Sequence, residues 1–183
     1  MAVLIHALLL AMTALAVDLN GRPVTELAPP GARAVVLFFA ASDCPVSNRY
    51  IPEIERLTKQ FEPLGVKVWF VYPNPGDNPN VVRAHDREYS ITASTALDNT
   101  QSLTRMAQVT TTPEAAVFVP RNGALREVYR GRIDDRYVAL GRQLPAPTTQ
   151  DLRLALDAVL DHQTPKPPAG PPVGCLIILP HKT

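Results

Sequence analysis

Two residues in this chain stand out for redox chemistry, the cysteines Cys44 and Cys175, which are the only two in the sequence. They lie roughly 130 residues apart. Two thiols can form a structural disulfide, act as a redox pair or bind a metal, and their number alone does not choose among these roles. The surroundings of each cysteine must therefore be considered separately.

Cys44 lies where a predicted strand runs into a predicted helix. The stretch from Ala34 to Ala40 is continuously apolar and rich in β-branched and aromatic residues, which is typical of a central strand covered on both faces. Beyond the cysteine, apolar residues recur at steps of three and four and predict a buried helical stripe: Ile51, Ile54, Leu57, Phe61 and Leu64. A helix N-terminus stabilises a thiolate, so Cys44 is a candidate nucleophile.

The neighbours of Cys44 bear on its ionisation. Pro45 suits a first helical turn, where its missing N–H costs nothing. Ser47 or Asn48 is placed to donate a hydrogen bond to the sulfur, whereas the charge of Asp43 opposes ionisation. The alternative is an inert thiol buried at the end of a strand.

The remaining pattern predicts a single α/β domain, since 183 residues are too few for two ordinary cores. Asn20-Gly21 indicates a hairpin turn, and Pro52 is expected early in the first helix, which Leu64-Gly65 ends. Thr148 or Thr149 is expected to cap the last helix. The other predicted elements are strands at 66–72, 93–97, 115–119 and 125–130 and helices at 80–89, 100–107 and 152–160.

Two motifs in this arrangement resemble the thioredoxin-like superfamily, in particular its redoxin and thiol-specific antioxidant branch. Phe39 to Ser47 is similar to the strand-to-helix redox turn of that superfamily, and Thr110-Thr111-Thr112-Pro113-Glu114 is similar to its cis-proline loop. The resemblance covers Asp18 to His162. It implies a central mixed β-sheet flanked by helices, with Thr112 and Pro113 facing the redox cysteine and holding the substrate backbone or shaping its pocket.

The chain also departs from this family at several positions. Ser47 stands where the second cysteine of a C-x-x-C motif would lie, so a resolving thiol has to come from elsewhere. Peroxidases of the branch carry a hydroxyl residue and a proline upstream of the cysteine, where this chain has Ala41 and Leu37. These departures weigh against both a standard dithiol reductase and an efficient peroxidase.

Cys175 follows a Pro-rich stretch that predicts an extended, mobile tail. It can resolve an oxidised Cys44, form a permanent disulfide that fixes the tail, or remain unlinked. Arg132 is a candidate to support a thiolate or bind an anionic substrate, or it belongs to a solvated charged loop. The histidines have no ligand spacing, and we expect no organic cofactor and no metal, although a Cu(I) site built on the two cysteines stays an alternative.

Residues 1–16 have an apolar centre, interrupted by His6, and end in Ala14-Leu15-Ala16, the pattern of a secretory cleavage site. A short retained anchor and a buried N-terminal helix are the alternatives. We therefore divide the chain into a signal peptide (1–16), a thioredoxin-like domain (17–162) and a tail (163–183). The expected location is periplasmic or otherwise extracytoplasmic, with no stable membrane insertion after cleavage. A net charge of +1 gives no electrostatic footprint for nucleic acid.

Together these features predict a thiol-based oxidoreductase. Cys44 would attack a protein disulfide or a peroxide, Cys175 would resolve the product, and an unidentified donor would supply electrons. The alternative is a non-catalytic module that binds copper or a partner protein, with the two cysteines as ligands or as a structural disulfide.

Overall fold

The computed structural model describes residues 14–179. Within that range the chain forms four α-helices: α1 (Pro45–Phe61), α2 (Pro79–Tyr89), α3 (Ser102–Ala107) and α4 (Asp151–Leu160). Its strands, in chain order, are β1 (Ala16–Val17), β2 (Pro23–Val24), β3 (Ala34–Phe39), β4 (Val66–Tyr72), β5 (Ser94–Leu97), β6 (Thr111–Thr112), β7 (Glu114–Arg121), β8 (Ala124–Gly131), β9 (Tyr137–Ala139), β10 (Arg142–Gln143) and β11 (Cys175–Leu176).

Seven of these strands form one mixed sheet in the order β2-β1-β5-β4-β3-β7-β8. β3, β4 and β5 run parallel, because each connection between them includes a helix, whereas β7 and β8 form an antiparallel hairpin. β3 pairs with β4 on one side and with β7 on the other. The predicted α/β class and central mixed sheet are therefore confirmed.

β3 is buried along its whole length, as its continuous apolar run predicts. Its side chains alternate between two core clusters, since successive residues of a strand point to opposite faces. Ala34, Val36 and Phe38 pack in the cluster that also holds residues of α1 and α4. Val35, Leu37 and Phe39 pack in the second cluster, with Leu103 of α3 and with Ile177 from the C-terminal tail. The tail thus contributes to the core beneath one face of the sheet.

Two details of the helices differ from the sequence prediction. Pro52 lies inside α1 rather than early in it, because the helix already begins at Pro45. Because proline has no N–H, one backbone hydrogen bond to the carbonyl four residues earlier is missing in the middle of the helix. Neither Thr148 nor Thr149 caps α4: the N-cap residue is Gln150, which makes no side-chain cap, while both threonines bond to aspartates nearby.

The predicted signal peptide lies mostly outside the described residues. The described part begins with Ala14, and Ala16 and Val17 already pair with β2 across the Asn20-Gly21 turn. Leu15 adds a backbone hydrogen bond of 2.8 Å to Val24. No helix within residues 14–179 is both long and apolar enough to cross a membrane.

Candidate active site

Cys44 is the N-cap residue of α1, as the strand-to-helix pattern predicts. Its backbone is extended, with φ −90° and ψ 109°, and the helix proper begins at the exposed Pro45. The side chain is 0% exposed. Its sulfur lies 3.3 Å from the carbonyl oxygen of Thr112, to which the thiol donates a hydrogen bond. Cys44 therefore faces the loop that the sequence resemblance placed opposite it.

The Thr112–Pro113 peptide bond is cis, so the predicted cis-proline loop is present. Thr112 is fully buried. It belongs to the short strand β6, whose partner is the C-terminal strand β11. Cys175 is directly opposite Thr112 in this pairing, and the Thr112 hydroxyl donates to the Cys175 carbonyl at 3.4 Å. One residue thus contacts the backbone of the tail and the sulfur of Cys44.

The C-terminal tail is attached to the domain instead of hanging free, which corrects the expectation of a mobile tail. Pro168 packs on Gly131, where an added Cβ would meet its Cγ at 2.5 Å. The Ala169 N–H points at the Asp151 carboxylate at 3.4 Å. Further along, Gly174 lies against Thr112. These contacts bring Cys175 to Cys44 from the far end of the chain.

Cys44 and Cys175 are both free thiols in this structure, and their acidities are shifted in opposite directions. Burial by itself raises the pKa of Cys44, but hydrogen bonds to its thiolate from Cys175, from Ser47 and from the Val46 backbone outweigh burial and lower that pKa below 9.0. Burial, the hydrogen bond to Cys44 and the negative charge there raise the pKa of Cys175 to about 12. The first proton to leave the pair is therefore that of Cys44, and Cys175 remains a thiol that donates to it.

The position of Ser47 also favours ionisation of Cys44 before Cys175. Its side chain is fully buried, and among residues 14–179 its hydroxyl has no hydrogen-bond partner. As a donor to the thiolate it lowers the pKa of Cys44. The hydroxyl that replaces the second cysteine of a C-x-x-C motif thus stabilises the negative sulfur.

Arg132 lies elsewhere. Its guanidinium forms an ion pair with Asp151 at 2.9 Å and bonds to Thr149. One of its nitrogens would be only 3.0 Å from a Cβ added at Gly170, so Arg132 lies beneath the tail. The contacts that the structure gives it are with the start of α4 and the tail, and none is with Cys44.

The family assignment rests on the comparison with known proteins. The AhpC/TSA family model matches residues 10–129, which is more than half of the chain. The chain belongs to the AhpC/TSA family. No curated sequence matches this AhpC/TSA protein at a significant level.

Solved structures agree on the fold. An uncharacterised conserved protein from Geobacillus kaustophilus is 24% identical, with a TM-score of 0.75 over 93% of this chain and 90% of that one. A hypothetical protein from Sinorhizobium meliloti is 24% identical, with a TM-score of 0.74 over 88% of each chain. A secreted disulfide oxidoreductase from Mycobacterium tuberculosis is 16% identical, with a TM-score of 0.53 over 80% of this chain and 93% of that one. The fold of this AhpC/TSA protein is therefore thioredoxin-like.

Below the redox turn lies a buried polar chain that sequence reasoning missed. The amide of Asn48 donates to the Ser42 carbonyl at 3.1 Å, and its oxygen bonds to His85 Nε2 at 2.9 Å. The other ring nitrogen of His85 lies 3.0 Å from the Tyr72 hydroxyl, which also reaches Asp86. Burial lowers the pKa of His85, which favours its neutral form. This chain ties α1 to α2 one helical turn after Cys44, whose carbonyl accepts from the Asn48 N–H at 3.0 Å.

Asp77 holds the other side of the turn. It is 2% exposed, and one of its oxygens accepts from the backbone N–H and the hydroxyl of Ser42. Its second oxygen is buried and has no partner in the described part of the chain, and burial raises the pKa of this carboxyl. The Pro-rich loop that follows β4 was recognisable as lying at the carboxyl end of a parallel strand, where ligands bind in such sheets. That Asp77 is the residue of this loop that bonds to the redox turn could not be recognised from the sequence.

Within residues 14–179, no three His, Cys, Asp or Glu side chains lie close enough together to hold a metal ion. Cys44 and Cys175 thus lack a third ligand of these types among the described residues. His85, the histidine behind the redox turn, uses both ring nitrogens in the polar chain.

Proposed function

We propose that this AhpC/TSA protein is a thiol–disulfide oxidoreductase in which Cys44 is the nucleophile and Cys175 the resolving thiol. The observation that carries the proposal is the pairing of β11 with β6, which places a thiol of raised pKa beside one of lowered pKa. A low-pKa thiolate at a helix N-terminus is the attacking species in disulfide exchange.

The chemistry proceeds in two exchanges. The Cys44 thiolate attacks one sulfur of a substrate disulfide, forming a Cys44–substrate disulfide and releasing the other substrate sulfur as a thiolate. Cys175 then loses its proton to the solvent and attacks the Cys44 sulfur, which forms a Cys44–Cys175 disulfide and releases the second substrate thiolate. The substrate disulfide is reduced, the cysteine pair is oxidised, and an external dithiol returns the pair to its starting state.

The tail has to move during this cycle. With β11 in place Cys44 is fully buried, so a macromolecular disulfide reaches it only after the tail has left. The high pKa of Cys175 applies to the docked tail beside a Cys44 thiolate, and the negative charge of Cys44 is gone once that sulfur is in a mixed disulfide. The return of the tail then brings a more acidic Cys175 to the Cys44 sulfur.

Disulfides are better supported than peroxides as substrates. The position three residues before Cys44 is Ala41 and the proline position is Leu37, both apolar and 0% exposed. Arg130 bonds to carbonyl oxygens at the end of α3, and Arg132 bonds to Asp151. Neither arginine therefore contacts Cys44, and neither is placed there to stabilise the developing charge of a peroxide oxygen.

Trapping of the mixed disulfide tests the proposal. The reduced wild-type protein and the single variants Cys44→Ser and Cys175→Ser are mixed with oxidised glutathione and mapped by mass spectrometry. We expect the Cys175→Ser protein to accumulate glutathione on Cys44, the wild type to form an internal disulfide, and the Cys44→Ser protein to react slowest. Equal reaction of the Cys44→Ser protein would overturn the assignment.

We further propose that the protein acts outside the cytoplasm, where its substrates would be exported proteins. The apolar run of residues 1–16 and its Ala14-Leu15-Ala16 ending support this, as does a secreted neighbour of the same fold. N-terminal sequencing of the protein recovered from its own cells tests it. A mature chain that starts near Val17 is expected, and an intact Met1 in a cytoplasmic fraction would contradict export.

A further inference from the structure

The tail lies in a groove that is built to hold an extended chain. We call residues 173–178 the tail segment, and Asn74, Gln101 and Thr110–Pro113 the tail groove. Cys175 and Leu176 pair with Thr112 and Thr111 in antiparallel register. The ladder continues beyond the strand, because the Ile177 N–H donates to the Thr110 carbonyl at 2.9 Å.

Two buried amide side chains hydrogen-bond to the backbone of the tail segment beyond the strand. The Ile178 N–H donates to Asn74 Oδ1 at 2.9 Å, and Gln101 Nε2 donates to the Ile178 carbonyl at 2.7 Å. Asn74 and Gln101 are 6% and 3% exposed. Both contacts recognise the backbone of the tail segment and not its side chains, so any extended chain in the same register can make them.

The side chains of the tail segment show which sequences the groove accepts. A Cβ at Gly174 would lie 2.0 Å from the Thr112 carbonyl oxygen, so a glycine is needed immediately before the cysteine. Ile177, two residues after the cysteine, is 8% exposed and packs in the core cluster of β3 and α3. Leu176 and Ile178 are 78% and 55% exposed. The selected pattern is therefore Gly-Cys-x-aliphatic.

We propose that the tail groove binds, in another protein, an extended segment of the pattern Gly-Cys-x-aliphatic, and that the tail segment is its built-in competitor. The two cannot bind together, because they would use the same edge of β6 and the same amides of Asn74 and Gln101. This inference names the substrate class for the proposed function and rests on that proposal for the chemistry that follows binding. The binding itself requires no reactive cysteine.

The full-length Gly174→Ala variant provides an open groove for the test, because its methyl group cannot fit against Thr112. Gly170→Ala is the matched control: it lies in the same tail, and its added Cβ would meet only the flexible end of Arg132. The probe is a fluorescein-labelled peptide Val-Gly-Ser-Leu-Ile-Ile, in which serine replaces the cysteine. Binding is followed by fluorescence anisotropy, with circular dichroism to verify folding.

We expect the Gly174→Ala protein to bind this peptide at least about tenfold more tightly than the wild type or the Gly170→Ala protein, since the internal competitor is weakened. A peptide with alanine in place of its glycine, or aspartate in place of its first isoleucine, should lose about tenfold or more. A peptide with serine in place of its leucine should bind as before. Equal binding to all three proteins, or indifference to the glycine, would overturn the inference.

A second full-length variant keeps the test valid if Gly174→Ala misfolds. Ile177→Asp releases the tail at a different contact, by placing a charge in an apolar core cluster, and should also open the groove. If both variants keep the wild-type circular dichroism spectrum and neither binds the peptide, the tail groove is not a binding site for such segments. Because the probe contains no thiol, this outcome differs from the failure of Cys44 to exchange disulfides, which would overturn only the proposed function.

Discussion

The sulfur of Cys44 lies 3.3 Å from the carbonyl oxygen of Thr112, the residue that also pairs with Cys175 in the tail strand. This single residue connects the nucleophile, the cis-proline loop and the C-terminal tail. The state of the tail therefore determines the exposure of Cys44 and the hydrogen bonds that its thiolate receives.

The first prediction concerns the acidity of the pair. Removal of a donor to the thiolate raises the pKa of Cys44, so Ser47→Ala and Cys175→Ala should each shift its ionisation to higher pH. Thiolate absorbance in the ultraviolet, followed against pH, measures this. In the wild type we expect one step below the ordinary thiol pKa of 9.0 and a second near the raised pKa of Cys175, about 12.

Ser102→Ala is the control for this titration, because Ser102 lies at the start of α3 and bonds to Thr100 rather than to a sulfur. Its titration curve should match that of the wild type. A Ser47→Ala protein whose first step also stays in place would show that the buried hydroxyl of Ser47 does not stabilise the thiolate.

The second prediction concerns access to Cys44. Ile177→Ser removes a buried aliphatic side chain from the tail segment and should loosen the tail by about 1.5–3 kcal/mol. Since roughly 1.4 kcal/mol corresponds to a factor of ten, alkylation of Cys44 by iodoacetamide should accelerate about tenfold or more. Peptide mass mapping assigns the modified cysteine.

Leu176→Ser is the matched control for access, because it makes the same kind of change at the adjacent residue, which is 78% exposed. We expect it to leave the alkylation rate within about twofold of the wild type, as most surface substitutions are nearly neutral. Equal acceleration by the two substitutions would mean that burial of Ile177 does not hold the tail over Cys44.

The third prediction concerns the buried polar chain behind the redox turn. His85→Gln disturbs the contacts to Asn48 and Tyr72 and should cost about 1–3 kcal/mol. In a chain of this length, that corresponds to a fall in Tm of a few degrees, at about 2–4 °C per kcal/mol. Thermal unfolding followed by circular dichroism measures it.

The sign of the pH dependence identifies the role of His85. Burial lowers its pKa in the folded protein, whereas unfolding restores the ordinary value of 6.5. The unfolded chain therefore binds the proton more readily, and the wild type loses this contribution as the pH falls below 6.5. The difference in Tm between wild type and His85→Gln should shrink between about pH 8 and pH 5. A gap that stays constant or widens on acidification would contradict a neutral, buried His85.

Much of the fold was predictable because it depends on local patterns. The continuous apolar run from Ala34 to Ala40 indicated a central strand, and the stripe from Ile51 to Phe61 indicated the helix that covers it. The position of Cys44 between them follows directly. The first residue of α1 was harder to predict from the sequence. Pro52 was therefore expected early in the helix, although it lies in its interior.

The rest of the site depends on contacts between distant parts of the chain. Cys175 belongs to a two-residue strand whose pairing with Thr112 has no local signal, and the Pro-rich sequence before it suggested a mobile tail. The role of Asn74 and Gln101 is visible only from their hydrogen bonds to the backbone of Ile178 in the tail segment. The role of Gly174 also became visible only in the structure, where the missing side chain permits close approach to the Thr112 carbonyl.

The central claim is that Cys44 and Cys175 form a working redox pair. The most direct measurement is to treat the reduced full-length protein with one equivalent of oxidised glutathione and to quantify, by non-reducing peptide mass mapping, the cysteine partners that result. We predict a Cys44–Cys175 disulfide within one chain, two released glutathione thiols for each disulfide formed, and reopening of the bridge by dithiothreitol. Persistent glutathione on Cys44 with Cys175 still a free thiol, or two unreacted thiols, would contradict the proposed pair.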